Sequence, residues 1–285
     1  MSVLPATLQA FQADATEVAP IASLAMYDWP ELRAANDSLW SAIAGRLAWQ
    51  GLMVPERLTR GVDLDVVWTS PVLLLGQTCG YPLMTALGER VSLVATPRYR
   101  ARGCEGPFRR SAIVVRADAA LRRLDELRGG RCALNDRASD SGMNLLRGAM
   151  APLARDGAFF SEVMLTGSHV ASAEAVATGA ADVAALDAVS YAHLRRLRPD
   201  LAQRLRVLDW TARTPGLPLV TAANTDAATL RALQGALAAI AQDPALAETR
   251  ELLLLDGFSL LPRRYYGLTL HIEERARALG YEQLR

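Results

Sequence analysis

Asn135-Asp136-Arg137-Ala138-Ser139-Asp140-Ser141-Gly142-Met143-Asn144 is the stretch on which the reading of the fold turns. An apolar strand, Cys132 to Asn135, runs into a polar turn and then directly into a helix, Ser141 to Ala154. Met143, Leu146, Met150 and Leu153 recur at intervals of three and four along that helix. Backbone N–H groups without intrahelical partners converge at such a junction, and the helix dipole adds to their pull on an anion. Ser139 and Ser141 contribute hydroxyl donors, and Gly142 permits close approach to the backbone. The same residue types also cap ordinary helices, so a cap and an anion site both remain open.

The same strand–turn–helix unit recurs on either side. Val163 to Thr166 reads as a strand and Ser168 to Thr178 as a helix, with Thr166-Gly167-Ser168-His169 at the junction. Asp182 to Leu186 is a strand closed by Asp187, and Ser190 to Leu197 a helix. Upstream, strands are expected at Ile21 to Met26, Asp65 to Trp68, Val91 to Ala95 and Ser111 to Val115, and helices at Asn36 to Trp49 and Leu121 to Leu127. The strand ending in Thr69-Ser70-Pro71 is followed by a proline suited to a first helical turn. Downstream come strands Leu205 to Trp210 and Leu219 to Ala222, then helices Ala227 to Ala241, Ala245 to Leu254 and Leu270 to Leu279. This alternation argues for an α/β fold with a mainly parallel sheet.

Two Gly/Pro-containing crossings, near residues 103–111 and 211–219, bracket a compact α/β segment. The expected organisation is a flexible leader over 1–20, a first lobe from 21–110 plus 212–285, and an inserted second lobe from 111–211. Closure would bend a few crossing residues. Ligands of such folds sit at strand C-termini and helix N-termini, facing the cleft.

Composition narrows the function. Hydrophobic residues make up 51% and charged residues 21% of 285, enough to bury a full core. The formal net charge is +1, which supplies no electrostatic case for nucleic acid or a membrane surface. No apolar run is long enough to cross a membrane. All 31 basic residues are arginine, which excludes a P-loop lysine and a Schiff-base lysine. Cys79, Cys104 and Cys132 fit no metal or redox spacing, and His169, His193 and His271 form no metal-ligand pattern. No cofactor or metal is expected. Met1 to Pro20 has neither the positive start nor the uninterrupted apolar core of an export signal, so the chain as written is expected in the cytoplasm.

Taken in order, Asn135-Asp136-x-x-Ser139-x-Ser141-Gly142, Gly167-Ser168-His169 and Ala175-Val176-Ala177-Thr178-Gly179-Ala180-Ala181-Asp182-Val183-Ala184-Ala185 resemble the phosphate/phosphite/phosphonate-binding proteins of ABC importers. Asp65-Val66-Val67-Trp68 and Pro215-Gly216-x-Pro218 extend the resemblance over roughly residues 20 to 265. It implies a type II periplasmic-binding-protein fold, two Rossmann-like lobes joined by two hinge crossings, and a periplasmic location. It implies head-group contacts from Ser139, Ser141, the intervening backbone and His169. Thr69 stands where members often present a Tyr, and Arg109 near another aromatic ligand position. Tyr27, Ser70, Asp140, Gly142 and Asp187 complete the expected ligand-binding set. Asp140 departs from the family, which prefers a small hydroxyl there; a carboxylate beside a bound dianion repels it unless it points away. The acidic residues that hold an aminoalkyl tail in some members correspond to Val189 and Leu217.

The expected function is therefore capture of a small oxyanion-bearing, phosphate- or phosphonate-like solute for ABC import, with a transporter permease or sensor protein as partner. The alternative is a cytoplasmic enzyme or ligand sensor on the same scaffold, with His169 and Asp187 as acid–base candidates.

Overall fold

A computed structural model describes residues 19–285, so the expected leader lies almost wholly outside the described residues. The strands are β1 (Ile21–Ser23), β2 (Leu73–Gln77), β3 (Val91–Tyr99), β4 (Cys104–Glu105), β5 (Phe108–Arg109), β6 (Ser111–Arg116), β7 (Arg131–Leu134), β8 (Glu162–Leu165), β9 (Val183–Asp187), β10 (Leu205–Trp210), β11 (Thr214–Pro215), β12 (Leu219–Ala222) and β13 (Leu255–Ser259). The helices are α1 (Arg33–Trp49), α2 (Leu64–Thr69), α3 (Gly80–Met84), α4 (Leu145–Met150), α5 (His169–Thr178), α6 (Ala188–Leu197), α7 (Pro199–Gln203), α8 (Ala227–Gln242), α9 (Ala247–Leu252) and α10 (Gly267–Ala278).

Two five-stranded sheets result, ordered β1-β2-β12-β3-β13 and β10-β6-β9-β7-β8. Both are mixed rather than mainly parallel. Only β1–β2 pair in parallel in the first, and β7–β8 and β7–β9 in the second. The reason lies in the crossings: β6 and β12 enter their sheets from the hinge side and so run against their neighbours. Each sheet is covered on both faces. In β6, Ile113 and Val115 pack on one side with Leu146 and Met150, while Ala112 and Val114 pack on the other with Ala173 and Val176. That is the period-two pattern of a strand buried on both faces. In the first lobe Trp40 and Leu47 of α1 meet Leu237 and Ile240 of α8 over one face. Trp68, Leu83 and Tyr266 cover the other.

The two crossings are zipped together. β5 pairs antiparallel with both β4 and β11, placing Arg109 opposite Thr214 and Phe108 opposite Pro215. The Gly216 N–H donates to the Pro107 carbonyl at 2.8 Å, and Arg110 donates to the Thr211 carbonyl at 2.7 Å. A third passage adds to these. After β13 the chain leaves the first sheet, and Ala276, Tyr281 and Leu284 join the core of the second lobe. The C-terminal stretch expected with the first lobe is thus packed on the second. Its apolar residues fill a gap beside Phe159, whose N–H donates to the Arg285 carbonyl.

Three local expectations are corrected. Asp65–Trp68 is helical, not extended: Asp63 caps α2 by accepting from the Asp65 N–H at 2.8 Å, and the Trp68 indole donates to the Gln77 carbonyl at 3.0 Å. The strand of this region lies downstream, at β2, after Pro71. Leu121–Leu127 forms only a 3-10 turn at Leu124–Leu127. The helix expected over Ser141–Ala154 is a π-helical turn at Asp140–Asn144, then α4, then a 3-10 turn at Ala151–Leu153 that contains Pro152.

Tyr281 is fully buried in the second core. Replacing it with Ala is expected to cost about 3–5 kcal/mol in urea denaturation. Amide exchange should rise in β7 and β8 while β2 and β3 stay protected.

Candidate functional site

The C-terminal ends of β1, β2, β7, β8 and β9 converge on one cleft of about 750 Å³ between the lobes. One wall is the junction of β7 with the helix. The Ser139 hydroxyl accepts from the Gly142 N–H at 3.0 Å and shares a 3.3 Å hydrogen bond with the Ser141 hydroxyl. The Ser141 hydroxyl shares a 2.9 Å hydrogen bond with His169 Nε2. Gly142 is dictated by sterics: a Cβ there would lie 1.7 Å from Asn135 Oδ1. Asn135 Oδ1 and His169 Nδ1 are buried without hydrogen-bond partners among the described residues.

Behind this wall lies a buried ionic cluster. Arg109, 2% exposed, reaches Asp187 at 3.1 Å and Asp140 at 3.5 Å. Asp140 also accepts from Thr214 Oγ1 at 2.9 Å and from Asn144 Nδ2 at 3.1 Å. Asp187 accepts from the Tyr27 hydroxyl at 2.8 Å and from the Val189 and Ser190 N–H groups, capping α6. Burial opposes the charged guanidinium, yet Asp187 and Asp140 hold its pKa above the usual arginine range. Burial and the Asp187 carboxylate push the Tyr27 phenol up, so it remains a donor.

His169 is neutral. Burial pushes its pKa down to about 4, Arg109 adds to this, and Asp187 opposes it. His193, on α6, is fully buried with its ring 6.0 Å from that of Trp29 and 6.4 Å from that of Tyr27. Burial, assisted by Arg196, holds it at about 4 as well. The lobes also touch where Arg198 pairs with Glu31 at 2.8 Å and Arg196 donates to the Glu251 carbonyl at 2.9 Å.

Of the residues expected at the site, Tyr27, Ser139, Ser141, His169 and Asp187 line the cleft. Gly142 sits behind Ser139. Arg109 and Asp140 lie beneath the floor, bound to each other, and so answer the repulsion expected of Asp140: its carboxylate points away from the cleft into the cluster. Thr69 and Ser70 stand off the cleft. The Thr69 hydroxyl donates back to the Asp65 carbonyl at the end of α2, and Ser70 Oγ accepts from the Val72 N–H. Asn135, which opens the motif, lines the cleft, and sequence reasoning passed over Trp68, Cys79 and Pro82 as lining residues. Their signal was available, since each follows a strand end or packs against one. Leu217 lines the cleft, and Val189 is buried beside Tyr27 and Cys79. Among the described residues no group of three or more His, Cys, Asp or Glu could hold a metal ion, and no helix is long and apolar enough to cross a membrane.

The profile of a family described as ABC transporter, phosphonate, periplasmic substrate-binding protein matches residues 60–264. No curated protein sequence matches the chain significantly. Among solved structures, PhnD1 from Prochlorococcus marinus in complex with methylphosphonate superposes with a TM-score of 0.70 at 14% identity, over 86% of this chain and 94% of that one. The binding component of an ABC phosphonate transporter from Pseudomonas aeruginosa gives 0.69 at 16% identity, over 85% and 82%. A Xanthomonas citri protein bound to ATP gives 0.67 at 19% identity, over 86% and 95%. At these identities the likeness is one of fold, and the fold is that of type II periplasmic binding proteins.

Arg109→Met leaves two buried carboxylates without their cation and is expected to cost about 3–5 kcal/mol in chemical denaturation. A loss below about 1 kcal/mol would show that the cluster is not a buried, paired one. His169 and His193 bind protons more weakly folded than unfolded. The ligand-free protein should therefore hold full stability above pH 6.5 and lose it progressively toward pH 4, as a pH series of thermal melts would record. Replacing both by Gln should flatten that window.

Proposed function

This chain belongs to the periplasmic phosphonate-binding family of ABC transporter substrate-binding proteins, and we propose that it closes on a small phosphonate- or phosphate-type anion whose remaining substituent is uncharged. The observation that carries this reading is the group of neutral polar side chains Ser139 and Ser141, at the start of the π-helical turn, and His169, at the start of α5. Hydroxyls and an imidazole beside a helix start suit a tetrahedral oxyanion, and charge-assisted hydrogen bonds of this kind are the strong ones. Arg109 supplies no free positive charge, since two carboxylates already hold it.

The tail end of the cleft supports an uncharged substituent. Leu217, Trp68, Pro82 and Met26 give the cleft lining an apolar patch, with Val189 buried beside Tyr27. Its other carboxylates are Asp28, which Arg60 holds; Asp63 and Asp136, each bonded to a nearby backbone N–H; and Asp65. Asp187, the remaining carboxylate at a strand end, takes three hydrogen bonds on Oδ1 from Tyr27 and two backbone N–H groups, and its Oδ2 lies 3.1 Å from Arg109, so its charge is already balanced and exerts little pull on an ammonium group. The same commitments weigh against Asp187 as an acid–base group. In this reading the protein works on the outer side of the cytoplasmic membrane and delivers its ligand to the transporter's permease.

A thermal-shift panel of phosphate, phosphite, methyl- and ethylphosphonate, 2-aminoethylphosphonate and ATP tests the proposal. At about 100 times its dissociation constant, a true ligand stabilises the fold by roughly 2.7 kcal/mol. Ethylphosphonate should match or exceed 2-aminoethylphosphonate, and Ser141→Ala should weaken its binding about ten- to a hundredfold. Tighter binding of the amino compound by an order of magnitude would contradict the uncharged-tail reading. Binding indifferent to Ser141→Ala would contradict the head-group assignment.

A further inference from the structure

A second cavity, of about 730 Å³, opens on the back of the second lobe, between α6, α7 and the edge strand β10. It shares no lining residue with the interlobe cleft. Ala188, Tyr191, Ala192 and Arg195 face it at the i, i+3, i+4 and i+7 spacing of one helix face. Both crossings reach it as well, the first through Arg102 and the second through Trp210. The Trp210 ring lies so close to Gly103 that a Cβ there would come within 2.3 Å of it, and the Arg102 guanidinium sits 5.8 Å from the ring centre.

The charges in this cavity do not cancel. Arg102, Arg195 and Arg206 line it against a single carboxylate, Asp209. Arg206 donates to the Ala119 and Leu121 carbonyls. Asp209 accepts from its neighbour, the Trp210 N–H, at 2.7 Å. Arg102 and Arg195 pair with no carboxylate among the described residues, although 16 such ion pairs hold arginines elsewhere. The half-buried Tyr191 lines the same cavity and adds a phenol to its wall.

We propose that this cavity is a second ligand site, taking a small organic or inorganic anion with two carboxylate- or phosphate-type groups, one for each of Arg102 and Arg195. A guanidinium presents a planar fork that matches a carboxylate or phosphate with two hydrogen bonds. Two forks on separate elements select an anion with two such groups over a singly charged one. The bound anion would brace Arg102, at the entry to the first crossing, against α6, the helix that Asp187 caps.

Isothermal titration at fixed ionic strength, with citrate and inorganic pyrophosphate as probes and acetate as the singly charged control, tests the site. At least one of the two probes should bind with a dissociation constant below about 1 mM, some 4 kcal/mol, and acetate should not. The double variant Arg102→Gln/Arg195→Gln, both positions being exposed, should keep the wild-type melting temperature and weaken the probe at least tenfold. Ser141→Ala, in the other cleft, should leave probe binding unchanged. No binding by either probe, binding that survives the double variant, or binding abolished by Ser141→Ala would each overturn the proposal. So would a groove that takes an extended hexaglutamate peptide along β10 but neither small anion. None of these results depends on whether the interlobe cleft binds a phosphonate.

Discussion

The Arg109 guanidinium, buried between Asp140 and Asp187, is the constraint that the rest of the molecule is arranged around. Desolvating three charges is costly, and their mutual pairing, with the hydrogen bonds that Thr214, Asn144, Tyr27 and the start of α6 give the two carboxylates, offsets it. Each partner here comes from a different part of the chain. Arg109 and Thr214 belong to the two crossings, Asp140 opens the helix after β7, Asp187 ends β9, and Tyr27 follows β1 in the other lobe. Moving Arg109, Asp140 or Asp187 away would leave a buried charge unpaired. The cluster therefore fixes the hinge ribbon to the floor of the cleft, and Tyr27 ties the opposite lobe to it by a single hydrogen bond. That bond can break on opening at modest cost.

The cluster also explains an arrangement that looks unfavourable in sequence. An aspartate between two serines at an anion site should repel the ligand. Turned inward onto Arg109, Thr214 and Asn144, Asp140 instead orients the π-helical turn, so that Ser139 and Ser141 face the cleft. The front of the site is left with neutral donors and a neutral His169. Recognition in this reading rests on hydrogen-bond direction and the helix start rather than on a free cation, and the apolar lining beyond sets the character of the tail.

Much of this was legible in the sequence wherever the period of the pattern was unambiguous. The strand–turn–helix units after β7, β8 and β9 declared themselves through alternating apolar runs and Ser, Gly or Asp at the junctions. Asp65–Trp68 misled because a Val-Val-Trp run looks extended, whereas Asp63 and the indole bond to Gln77 stabilise a turn of helix. With that helix in place, Thr69 and Ser70 fall on its far end instead of the cleft. Arg109 was singled out by position, but a ligand contact and a buried pair look identical until its distance to Asp140 and Asp187 is known. The C-terminal residues could not be assigned to a lobe from periodicity, because an amphipathic helix shows that it has an apolar face but not what that face covers.

The most direct test of the central claim is the ring-nitrogen NMR spectrum of the three histidines, before and after saturation with methylphosphonate or ethylphosphonate at neutral pH. If the oxyanion sits at Ser139, Ser141 and His169, the His169 ring nitrogens should shift on binding. His271, which does not line the cleft, should stay where it is. Saturable binding that leaves the His169 signals unmoved would place the anion elsewhere and contradict the account.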